Sequence, residues 1–275
     1  GFQIEGAEGE CDEDQGSVPT VAPDGTVYVA FQNEQHEAAW EPGETCGPDV
    51  LCESQYLVVS SGDGGETWSD PAHVVDQEDG PRDMPLNVND SPTLTGYQVR
   101  IPTFGNIVAS PLDGTLYLSF ADNRAGKHDV VNPVTDTNVW LMISRNGVDW
   151  RGPFAVTKDG HDQWFPFADV DPTTGEVGVI YHDRRNGVYN TTLAEGGPGS
   201  WTYAELASEP SHPRNSLFFR AAVEGCWKCA TFHGDYLALD YGSDGSANTA
   251  WTDMRSFVDV KVTRGFTENI FFSRL

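Results

Sequence analysis

The 275-residue chain sets 42 acidic residues against 16 basic ones, for a formal charge of −26, and holds 29 glycines, 17 prolines and 11% aromatics. That surface disfavours nucleic acid and anionic membranes as partners and suits a salty medium or a binder of divalent cations. No stretch reaches the roughly 18 apolar residues of a membrane span, and the composition fits many short strands joined by tight turns, not a helical protein.

The first residue is Gly1, with no start methionine and no signal peptide before it, which reads as a processed or truncated chain. Residues 1–16 offer only Phe2-Gln3-Ile4 as strand material. From there one unit returns four times, as a turn, a strand and a polar end, at residues 24–34, 113–124, 174–185 and 244–255. In register, Phe31, Phe120, Tyr181 and Trp251 share one position, and Asn33, Asp122, Asp183 and Asp253 another. Arg124, Arg185 and Arg255 share the position two further on. An apolar strand precedes each copy (18–21, 107–109, 165–170, 236–239) and another follows it (55–60, 139–144, 189–193, 269–273). Four strands per radial repeat predict an all-β propeller of antiparallel blades. The domain spans 1–275, with blades at about 17–76, 103–158, 164–208 and 233–275, the last holding three strands when the chain reaches Leu275.

Inside the first repeat, residues 55–60 and 72–75 flank Ser61-Gly62-Asp63-Gly64-Gly65-Glu66-Thr67-Trp68. Apolar run, Gly/Asp turn, apolar run is a hairpin signal: the glycines supply positive φ, and the Ser, Asp and Thr side chains can bond the loop's own backbone. The octet resembles the Asp-box, or bacterial neuraminidase repeat, S-x-D-x-G-x-T-W, of sialidase-superfamily propellers. Ser61, Asp63, Gly65, Thr67 and Trp68 fill its consensus, Ser144 to Trp150 is a degenerate form, and Gly196 to Trp201 keeps the turn and the Trp without the Asp. In that superfamily the box is structural and lies away from the catalytic face. Its Asp-box enzymes have six blades, so the resemblance implies that about two N-terminal blades are missing or come from another chain, a compact four-bladed ring being the alternative.

Tyr97 and Arg100-Ile101-Pro102 resemble the (F/Y)-R-I-P signature of sialidases, whose Arg is one of three that bind the substrate carboxylate. By the same resemblance Arg124 is a second carboxylate ligand and Asp129 the acid/base, with Tyr236 or Tyr241 and Glu224 as a nucleophile pair that no motif places. Guanidinium groups match carboxylates bidentately and a neighbouring Asp can be tuned. The pattern departs from the family's in that a whole blade precedes the R-I-P segment. The recurring Asp-x-Arg pairs have two readings: arginines that hold the repeat together, or arginines that converge at one channel mouth as an anion site, with Arg185 and Arg255 as ligand-binding residues.

Residues 161–166 and 233–236 resemble segments of secreted bacterial sialidase-like proteins. The likeness would turn Asp162 and Asp235 to the channel as ligand-binding residues, with His128, His161, His182 and His233 nearby. Carboxylates and carbonyls suit calcium, while the His spacing fits no zinc motif. Cys46 and Cys52 bracket a short loop that suits a disulfide in an oxidising compartment. Cys226-Trp-Lys-Cys229 reads as a structural disulfide, half a metal site or a redox pair, and Cys11 is left over. The sequence thus leads to a secreted or surface-exposed propeller that recognises a glycan or an extracellular protein. Its alternatives are an exo-glycosidase acting on terminal sugar acids and a structural subunit completed by another chain.

Overall fold

The computed structural model describes residues 14–33, 53–87, 91–129, 131–212, 232–255, 257–260, 263–266 and 269–275, and all their regular structure is β. Blade 1 is β1 (Asp14–Val21), β2 (Val27–Asn33), β3 (Gln55–Ser61) and β4 (Ala72–Asp76); blade 2 is β5 (Ile107–Ala109), β6 (Leu116–Asp122), β7 (Asn138–Ser144) and β8 (Trp150–Ala155). Blade 3 is β9 (Gln163–Val170), β10 (Val177–Arg185), β11 (Val188–Gly197) and β12 (Ser200–Glu205). Each is a four-stranded antiparallel meander in chain order. Blade 4 pairs β13 (Ala238–Tyr241) with β14 (Ala247–Asp253), sets a separate hairpin β15 (Phe257–Val260) and β16 (Thr263–Phe266), and returns as β17 (Asn269–Arg274) beside β14. No helix among the described residues is long and apolar enough to cross a membrane.

Local chemistry explains the turns. Asp24, Asp113 and Asp244 each accept the amide of the residue two further on, at 2.9, 3.1 and 3.1 Å, and a left-handed glycine lies between. That is an Asx-turn, the short-range device that reverses the chain between first and second strands. Two elements differ from the sequence reading. The hairpin β15–β16 lies within what reads as a plain connection, and β13 starts two residues late because Tyr236 leaves the strand to meet Phe104, ring to ring at 5.9 Å.

Face-to-face packing of blades makes the core. Tyr28, Tyr56 and Val58 of blade 1 meet Leu116, Leu118 and Phe120 of blade 2. The other face of blade 2, with Val139 and Leu141, meets Val177 and Val179 of blade 3. Trp164, Ile180 and Leu193 of blade 3 then meet Leu239, Ala247 and Trp251 of blade 4. The turn tryptophans obey one rule: Trp150 packs into the blade 1–2 core and Trp201 into the blade 2–3 core. Trp68 lies on the matching residues of blade 1, Phe31, Leu57 and Val59. Blade 4's far side leaves Ile270 and Phe272 exposed.

One long connection does more than join blades. Residues 77–106 run from β4 to β5, yet Met84, Leu94, Val99 and Ile101 from it are buried in the blade 3–4 core. The segment therefore crosses the molecule and packs against blades that follow it in the chain.

Candidate functional site

Strand direction sorts the candidate residues. In an antiparallel blade the start of strand one and the end of strand two share an end of the sheet, as do the start of strand three and the end of strand four. Arg100, Arg124, Asp129, Asp162, Arg185, Asp235 and Arg255 all lie at that end, and the loops 61–68 and 144–150 lie at the other. Tyr241, at the far end of β13, is on the opposite side from Arg100 and gives its hydroxyl to Glu195 at 2.6 Å. All five cysteines and Glu224 lie outside the described residues.

The first loop closes on itself. Ser61 Oγ donates to Asp63 at 2.7 Å and accepts the Gly65 amide at 2.8 Å, while Thr67 gives its amide (2.9 Å) and hydroxyl (2.5 Å) to Asp63. Those bonds, Thr67's hydroxyl first, hold the Asp63 carboxyl well below its ordinary value. Ser144 and Asn146 organise 144–150 in the same manner, and Trp150 Nε1 donates to the Gly147 carbonyl.

The repeated arginines turn back on their own repeats. Arg124 grips the buried Asp122 through Nε and Nη2, donates to the Asp76 carbonyl at 2.9 Å, and lies over the rings of Phe120 and Trp140. Arg255 grips Asp253 in the same way, over Phe271. Arg185 pairs with Asp183 and Asp159 at the exposed rim. A guanidinium saturated by its own carboxylate has few donors left for a ligand.

Arg100 differs. It is half-exposed, pairs with Asp235 at 2.5 Å and stands over Phe232. Asp129 is an exposed acceptor for Lys127 at 2.7 Å and for the amides of Val131 and Asn132, and these bonds, Lys127's first, hold its carboxyl at about 2. It is therefore a charged group at neutral pH, without a proton to give.

One concavity lies between blades 2 and 3, an open cleft of about 300 Å³ lined by Thr95, Thr135, His161, Asp162, Arg184 and Asn186 among others. Arg184 is its floor, stacked 4.1 Å over Tyr97, with Nη1 donating to the Thr95 carbonyl at 2.7 Å and to Asp162 at 2.9 Å. Asp162 also accepts the Thr137 amide at 3.1 Å. Asp162 and Asp235, expected to suit calcium, thus each face a guanidinium. Repeat alignment picks out Arg185 and misses Arg184. The doublet was the available signal, because neighbours on a strand point to opposite faces and one of the two must face the cleft.

No protein-family model matches the chain, and no curated protein matches its sequence. Solved structures match its fold. A protein of unknown function from Dyadobacter fermentans aligns with TM-score 0.54 at 13% identity, over 94% of this chain and 61% of that one. The leech intramolecular trans-sialidase gives 0.53 at 12% over 92% and 50%, and the GH93 α-L-arabinofuranosidase of Fusarium graminearum 0.51 at 13% over 98% and 65%. The chain spans about half to two-thirds of the length of these proteins. The β-propeller fold is thus one that this chain shares with sialidases and with arabinose-releasing glycosidases.

Proposed function

We propose that this propeller is a carbohydrate-recognition module that holds a glycan over the Arg184 cleft without hydrolysing it. The observation behind the reading is the Tyr97–Arg184–Asp162 stack: an aromatic-backed guanidinium and a carboxylate fixed in a concave site of saccharide size. Vicinal hydroxyls pair well with such fixed ionic partners, and little entropy is lost when the site is already ordered. The fold supports the ligand class by analogy alone. An extracellular place of work fits the strongly acidic composition.

The test is calorimetric titration with sialyllactose and with arabinobiose, beside turnover assays on the same sugars. Millimolar or tighter binding, weakened at least about tenfold by Arg184→Ala, with no product formed, is the expected result. Absence of binding to either sugar class, or binding indifferent to Arg184→Ala, overturns it.

The second reading is an exo-glycosidase, favoured by the half-exposed Arg100 and the exposed Tyr236 at one end of the molecule. Cleavage of a fluorogenic sialoside that disappears in Asp129→Ala would establish it in place of the first.

A further inference from the structure

Three donor side chains meet on this same end of the molecule, outside the Arg184 cleft. Glu78 and Asp83 come from the connection between β4 and β5, and His128 from the connection between β6 and β7. Their donor atoms lie within 4.8 Å of one another. His128 Nδ1 is 2.5 Å from Asp83 Oδ1 and 3.5 Å from Glu78 Oε2.

The arrangement is built from both sides. The Gly80 amide donates to the other oxygen of Asp83 at 2.9 Å, and Asn123 Nδ2 donates to the Asp83 carbonyl. Glu78 gives its amide to Asp122 at 3.1 Å and accepts the Asn123 amide on its carbonyl at 3.0 Å. Asp129, next to His128, donates its amide to the Arg82 carbonyl at 2.7 Å. Gly80 is required where it stands, since a Cβ there would come to 2.7 Å from Glu53 Cγ and 3.2 Å from Asp83 Oδ2. Asp83 itself is buried, and an imidazole is the partner of its carboxylate. Buried carboxylates are commonly paired or bound to metal, because an unneutralised charge is costly there.

We propose that Glu78, Asp83 and His128 bind one zinc-class divalent cation, which ties the two connections together. An imidazole with two carboxylates is a borderline donor set that favours zinc or its neighbours, whereas calcium takes six or more oxygens. Tetrahedral zinc spaces its donors by roughly 3.3 Å. The Glu78–His128 pair already fits, and the Asp83–His128 pair opens by under an ångström through the exposed imidazole. The ion takes the place of any proton between His128 Nδ1 and Asp83 Oδ1: an imidazolium gives it up to solvent, and a neutral ring protonated on Nδ1 moves it to Nε2. Water completes the shell on the exposed side.

These donors are 5 and 45 residues apart along the chain, so no local zinc motif announces them.

The experiment uses the full chain stripped with chelator, then titrated with zinc, calcium or cobalt chloride. Zinc at hundredfold excess over its Kd should raise the unfolding midpoint by about 5 °C, and calcium at the same concentration should leave it unchanged. His128→Ala and Glu78→Gln, both more exposed than Asp83, should weaken zinc by on the order of tenfold or more and so at least halve that rise. Asp83→Asn is the buried variant, and the two more exposed ones decide the matter should it fail to fold. Equal stabilisation by calcium overturns the site. So does zinc affinity unaltered in both of those variants, or cobalt binding that shows a thiolate charge-transfer band and persists in His128→Ala.

Discussion

At the scale of the residue, several side chains do structural work that their identity alone does not reveal. Asn106 imitates a strand: its Nδ2 donates to the Ala168 carbonyl at 2.8 Å and its Oδ1 accepts the Ala168 amide at 2.6 Å, which joins blades 2 and 3 near their inner strands. Asn106→Ala leaves two buried backbone groups unmet, so equilibrium urea unfolding should show a loss of about 2–4 kcal/mol. A loss below about 0.5 kcal/mol would mean that the bridge is dispensable.

His182 and His233 are fully buried beside Trp164 and Tyr189, their rings 5.5 Å apart. His182 Nε2 and both ring nitrogens of His233 have no hydrogen-bond partner. Burial first, and then the neighbouring His233 ring, keeps His182 well below its ordinary value, and burial takes His233 down to about 3. Both are therefore neutral in the fold and protonate near 6.5 when unfolded, so their contribution is intact above 6.5 and is lost as pH falls toward 3. Compared with His233→Phe, the native chain should lose stability faster between pH 6.5 and 4, by up to about 1.4 kcal/mol per pH unit. Parallel stability curves for the two proteins would refute the assignment. Asp79 has the opposite sign: burial lifts its carboxyl to about 7 despite bonds from Thr103 and Ser54. It favours the fold when protonated, and that contribution declines as pH rises through 7.

At the scale of the element, the blade is the unit, and its stability comes from its neighbours. Leu118 and Leu141 lie on opposite faces of blade 2 and are both fully buried, one against blade 1 and the other against blade 3. Either residue changed to Ala should cost about 2–5 kcal/mol in denaturant unfolding, the range of a core cavity. A cost near zero at Leu141 would mean that blades 2 and 3 are not packed face to face. The turn loops are a separate matter. Gly147 has φ of 73° and lies where a Cβ would come to 2.6 Å from the Tyr28 ring, so the loop of blade 2 fits against blade 1 only with glycine.

At the scale of the whole molecule, residues 77–106 decide how the blades cohere. Val99 and Ile101 are buried among residues of blades 3 and 4, and Tyr97 supports Arg184 and donates to the Gly187 carbonyl at 3.2 Å. Val99→Asp places a charge in that core and should lower the thermal midpoint by at least about 5 °C while exposing 77–106 to limited proteolysis. A midpoint within a degree of the native value would show that the segment is merely draped on the surface. Because the same segment bears Thr95 and Tyr97, its release should also weaken any ligand of the cleft.

The repeat, its turn and strands, and the Ser61–Trp68 loop were legible in the chain, because each depends on residues within a few positions of one another. Phe31, Phe120, Tyr181 and Trp251 lined up in sequence for the same reason that they pack alike: one blade design is used four times. The blades' packing partners, the path of 77–106, the choice of Arg184 over Arg185 for the cleft, and the meeting of Glu78 and Asp83 with His128 were not legible. Those depend on contacts between segments tens of residues apart, and hydrogen-bond and packing energies at such separations leave no periodic trace in the chain. Short-range chemistry therefore set the form of each sector, and only the closing of one sector on the next decided which polar groups were left facing the clefts between them.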